Sequence, residues 1–180
     1  MIDPDALEIL DFWWRAGPDR WFGGGEAFDT ACAAFTALHV RAAAGDCDGW
    51  AGEPAGALAR ILLLDQLPRN LFRGTPRAFA TDAAALAAAE AALDHRFDRA
   101  YPTAARPFFY LPFMHAEDLA AQDRSLDLFR ILGERENYHY ALLHHDPVRR
   151  FGRFPHRNAI LGRTSSPEEE AYLASGGFSG

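Results

Sequence analysis

Apolar residues in this chain recur at the three- and four-residue spacing of helices, and no run alternates apolar and polar residues between hairpin signals. That pattern constrains the fold most: it predicts an all-α architecture of antiparallel helix pairs. Asp3-Pro4 reads as an N-cap with proline at the first helical position, and Leu7, Leu10, Trp13 and Trp14 follow before Gly17-Pro18. A Trp-Phe-Gly-Gly-Gly loop precedes a second helix, predicted from about Glu26 to Ala44, with Phe28, Cys32, Phe35 and Leu38 on one stripe. Trp50 anchors a turn, and a third helix is predicted from about Pro54 to Leu67, ending near Pro68. Thr75-Pro76 offers another start, and the alanines of the 83–93 segment would let a helix approach its neighbour closely. Pro102 and Pro107 punctuate a short element, PFFYLPFMH. Two more helices are predicted, from about Glu117 to Leu132 and from about Arg135 to Asp146. Ser166-Pro167-Glu168-Glu169 reads as a capping box opening a last short helix. No linker-like shift in composition divides the chain, so residues 1–180 are expected to form one domain, with a loosely ordered tail over 174–180.

Composition excludes several chemistries. The chain has 18 basic and 25 acidic residues, a net charge of −7, which argues against nucleic acid and against an anionic membrane surface as partners. Every basic residue is arginine. Without lysine there is no Schiff base and no P-loop at Gly23-Gly24-Gly25. Cys32 and Cys47 match no metal or redox spacing. The N-terminal residues show no signal-peptide pattern and no apolar stretch reaches spanning length, so a cytoplasmic protein is expected.

The motifs LDFWW, DRWFGGGEAFD, ILLLDQLPRNLFRGTPRAFATD, FFYLPFMHAEDLAAQD and RFGRFPHRNAILGR, which run from about Leu10 to Phe178, resemble those of the bacterial family called domain of unknown function 924. The resemblance implies a helical fold similar to tetratricopeptide-repeat proteins, a right-handed array of helix pairs, and implies no reaction. Ala116 stands where the family often has serine, and Leu67 where it often has phenylalanine. The first change removes the hydroxyl that a serine nucleophile there would need.

Several clusters are candidates for chemistry. Asp65, Gln66, Arg69, Asn70 and Arg73 form one; Asp65 and Arg69 would pair at i,i+4 if the helix runs through Pro68. They read either as a ligand site or as an ion-pair network ending the helix. His115, Glu117 and Asp118 form an acidic cluster, the expected counter-charge for RFGRFPHRN. In that segment Arg150, Arg153 and Arg157 offer forked donors for carboxylate or phosphate, His156 adds a titratable group, and Asn158 reads as a cap whose helix would favour an anion. His144-His145-Asp146 is similar to the His-Asp pair of helical phosphohydrolases, with His139 also available, yet no spacing marks a ligand set and no metal or cofactor is expected. A single Glu-x-x-His at Glu136 and His139 does not make a di-iron site. Trp13, Trp14, Trp21, Phe22 and Trp50 read as core or as pocket walls.

The leading expectation is a non-enzymatic binding or scaffold module whose polar groove takes a small anion, a carboxylate metabolite or a peptide. The rival is a hydrolase, with His115, Glu117, Asp118 or His144 in acid–base roles and arginines clamping the anion. A third reading makes the network purely structural. The alanine-rich helix is a candidate homodimer face.

Overall fold

The computed structural model describes residues 2–21 and 23–179, and among them there are helices and turns and no strand. The all-α expectation holds. The chain divides into two compact units, Met1–Pro112 and Phe113–Gly180, and each is described by itself.

The first unit opens with α1 (Pro4–Ala16), where Asp3 accepts a bond from Asp5 N–H and Ala6, Ile9, Leu10 and Trp13 form the buried stripe. Pro18–Trp21 is a single turn, α2. The predicted second helix is divided: α3 (Glu26–Cys32) and α4 (Thr36–Ala44) flank a 3₁₀ turn at Ala33–Phe35. The stripe survives this break, since Phe28, Cys32, Phe35 and Leu38 are all buried. Next comes α5 (Pro54–Ile61), which packs against α1 and against α7 (Asp82–Asp94). Ala85, Ala88, Ala89 and Ala92 of α7 are buried, as close approach through small side chains requires. Gly56 brings α5 against the turn at Trp50: a Cβ there would lie 2.3 Å from the Trp50 carbonyl oxygen. Gly56→Ala is therefore expected to destabilise the protein by about 1–3 kcal/mol in urea unfolding, although alanine is the better helix former. An unchanged or raised midpoint would refute the close approach.

The third predicted helix does not stop at Pro68. A π-turn over Leu62–Gln66 joins α5 to α6 (Leu67–Leu71). The Leu67 N–H reaches back five residues to the Leu62 carbonyl, which releases the Leu63 carbonyl from the helical ladder. Pro68 has no N–H to give the Leu64 carbonyl. Both oxygens are buried deep enough to need donors. His39 Nδ1–H donates to the Leu63 oxygen at 2.9 Å, and the Thr81 hydroxyl donates to the Leu64 oxygen at 2.6 Å. The π-turn thus carries the helix past a proline without orphaning its backbone.

The boundary between units falls within α8 (Pro107–His115), after Pro112. In the second unit α9 (Leu119–Leu132) is capped by Asp118, whose carboxylate accepts the Ala121 N–H. Gly133 turns the chain in the left-handed conformation, and α10 (Arg135–Phe151) packs back on α9. The predicted end at Asp146 is wrong by a turn. Pro147 costs α10 one hydrogen bond, but Pro147 and Val148 are buried and continuing the helix keeps them so. The last helix, α11 (Pro167–Ala174), starts with the expected capping box of Ser166 and Glu169. Beyond it the Phe178 N–H donates to the Tyr172 hydroxyl. Among the described residues no helix is long and apolar enough to cross a membrane.

Candidate functional sites

The polar residues singled out from the sequence fall into both units, so each set stands alone. In the first unit, the π-turn buries Asp65 completely. Its carboxylate accepts Gln66 Nε2–H at 2.5 Å and faces Arg69 at 3.4 Å, the i,i+4 pair that a helix through Pro68 allows. Arg69 also pairs with Asp82 at 3.0 Å and donates to the Asp65 carbonyl. Asn70 donates to the Gln66 carbonyl and accepts from Arg73, which forks onto Asp29. The cluster is internally paired, and Asp29 and Asp82 complete it from other helices.

In the second unit, the acids pair with other arginines than expected. Glu117 accepts both forks of Arg163, at 2.6 and 2.8 Å, and the Phe154 N–H at 2.8 Å. Burial works to raise its pKa, but the bonds from Arg163 and Phe154 outweigh this and hold the carboxyl below the usual range. Asp118 is spent as the α9 cap. Arg153 forks onto Glu169 instead, at 2.6 and 2.7 Å, and donates to the Thr164 carbonyl. Glu169 also accepts from Asn158 and from the Ser166 N–H. Its pKa falls to about 2, chiefly through the Arg153 bonds. Glu169 is 2% exposed, and sequence reasoning had assigned it only a capping role. Asn158 opens no helix; it follows the 3₁₀ turn Pro155–Arg157, and its amide joins Ser165, Glu169 and Arg163. The helix start expected there is not formed. Arg150 is exposed, pairing with Asp146 at 3.4 Å and lying over the Tyr172 ring.

The histidines form an aromatic cluster. His144 packs 4.2 Å from Phe178 between ring centroids, with Phe154 edge-on and His115 at 6.0 Å. His156 lies against Phe154 and Phe178. Arg157 donates to the His115 carbonyl and sits 4.4 Å over the Phe154 ring. Burial, then the neighbouring His115, depress the His144 pKa to about 3, and burial, then Arg157, depress His156 to about 4. Both rings are neutral at pH 7. His145 faces away to Asp123. Among the described residues no three His, Cys, Asp or Glu side chains are placed together to hold a metal ion.

An apolar cleft of about 320 Å³ opens in the first unit, lined by Trp14, Trp21, Tyr101, Pro102, Ala104 and Ala105. The Trp14 and Trp21 rings meet at 78° with centroids 5.6 Å apart, forming a corner. Phe108 backs both rings from the core. The Trp21 indole N–H is satisfied by the Trp13 carbonyl at 2.6 Å. Of the aromatics expected as core or walls, Trp13 and Trp50 are core, Trp14 and Trp21 are walls, and Phe22 lies outside the described residues. Tyr101 and Pro102 had no signal in the sequence beyond an isolated proline.

The fold has a counterpart of known structure. A protein of unknown function from Agrobacterium tumefaciens is 49% identical, over 94% of this chain and 97% of its own, with a TM-score of 0.90. No curated protein matches. Residues 9–177, which include both polar clusters and the cleft, match the model of the bacterial proteins of unknown function DUF924, and the chain belongs to that family.

Proposed function

We propose that the protein is a binding or scaffold module rather than a hydrolase, that its arginine–carboxylate clusters serve the fold, and that ligands enter at the Trp14–Trp21–Tyr101 cleft. The observation that carries this reading is the saturation of the acids. Glu117 and Glu169 each accept a forked arginine and further donors, and both are held below the usual carboxylate range. A general base works best with a pKa near the operating pH and a free lone pair toward its substrate. His144, depressed to about 3, is equally a poor acid at neutral pH. The same saturation weighs against anion capture, because the forks of Arg153 and Arg163 that would clamp a carboxylate or phosphate already hold Glu169 and Glu117. The cleft, by contrast, is apolar and aromatic-walled, as the linings of small-molecule sites predominantly are.

Pure protein is expected to turn over neither p-nitrophenyl phosphate nor p-nitrophenyl esters. Turnover that disappears in Glu117→Gln with the fold intact would replace this reading with the hydrolase. A ligand-observed NMR fragment screen should return binders whose signals weaken in Trp14→Leu.

A further inference from the structure

The cleft reading can be taken to a ligand class. We propose that the cleft binds a quaternary ammonium group, a cation bearing methyl groups and no N–H. The inference rests on the cleft being a binding site.

Its walls present almost no polar atom. A primary ammonium or a guanidinium would find no acceptor for its N–H donors on those walls and would have to keep them in water, away from the rings. A neutral hydrocarbon escapes that constraint, and so does a trimethylammonium group, whose surface is methyl. The charge decides between these two. Indole and phenol faces attract a cation placed over them, and tryptophan does so best. Two tryptophans at 78° and Tyr101 offer aromatic walls around one pocket. The Trp21 N–H is turned to the Trp13 carbonyl, so no donor from that indole is left to repel a cation.

Charges of both signs lie near the cleft. Burial, then the Glu53 carboxylate, push the Tyr101 hydroxyl up, so the phenol stays protonated and neutral. Of the arginines next in sequence to lining residues, Arg15 pairs with Asp11 at 2.9 Å, Arg20 is exposed, and Arg106 donates to the Tyr101 carbonyl at 3.0 Å. The whole chain carries −7, which draws small cations toward it.

Choline and its neutral isostere 3,3-dimethylbutan-1-ol separate the cases. They have the same shape and hydroxyl and differ in charge. Titrated into the full-length protein at constant ionic strength and followed by tryptophan fluorescence and NMR, choline is expected to bind saturably and about tenfold more tightly than the alcohol. Tyr101→Leu and Trp14→Leu, which keep an apolar wall, should each weaken choline several-fold more than the alcohol. Equal binding of both compounds overturns the cation inference and leaves the cleft standing as an apolar site. Binding of neither overturns both. Choline binding unchanged in both variants places the site elsewhere and overturns the proposal.

Discussion

Asp65→Ala is expected to destabilise the protein by about 3–5 kcal/mol in urea unfolding, the largest effect of any single polar substitution. The carboxylate is fully buried, and its loss leaves the Arg69 guanidinium, itself largely buried, with Asp82 as its one carboxylate partner among the described residues. Gln66 Nε2–H loses its acceptor as well. The cost comes from stranding these partners more than from the strength of the pair. Replacing the pair together, as in Asp65→Leu with Arg69→Met, should therefore recover much of the loss, because a buried ion pair and a packed apolar pair are often close in free energy. A loss below about 1 kcal/mol for Asp65→Ala, or a double variant no better than the single, would contradict the paired geometry.

The second large effect is acid sensitivity that begins near neutrality. His144 and His156 have folded pKa values of about 3 and about 4, below the 6.5 of an unfolded histidine. Between those values the unfolded chain binds more protons than the folded one, so their contribution is complete above pH 6.5 and is lost as the pH falls. By pH 5 each histidine should remove about 2 kcal/mol relative to pH 7. Glu117 and Glu169, with lowered pKa values, act in the same direction at lower pH, and their stabilisation fades below the ordinary carboxylate range as the pH approaches about 2 for Glu169. Urea midpoints at pH 7 and pH 5 test this. His144→Phe, which can keep its place beside Phe154 and Phe178, should flatten the slope. A wild-type protein equally stable at both pH values would show that these rings are not held neutral by burial.

Helix content and most helix starts were legible because they depend on local signals. Asp3-Pro4, the Phe28–Cys32–Phe35–Leu38 stripe and the Ser166–Glu169 capping box act within one or two turns, and each appears as read. Helix ends were less legible. The helices predicted to end near Pro68 and at about Asp146 both run on, through Pro68 and Pro147. A proline removes one backbone donor, and only distant residues decide whether that matters: Thr81 supplies the missing donor at Leu64, and burial of Val148 outweighs the loss in α10.

The same division governs the sites. That acids and arginines pair was determined by the sequence, because buried charge needs a partner and five arginines crowd residues 149–163. Which acid meets which arginine was decided by tertiary structure. Glu169 serves the α11 capping box and holds Arg153 at once, and Arg163, outside the nine-residue motif, takes the Glu117 carboxylate assigned to the motif itself. The cleft joins Trp14 and Trp21 to Tyr101 and Pro102, far apart along the chain and carrying no shared periodicity. Period and capping are properties of neighbours in sequence and so are written in it. A concave aromatic corner is a property of neighbours in space, and it exists only once the helices have packed.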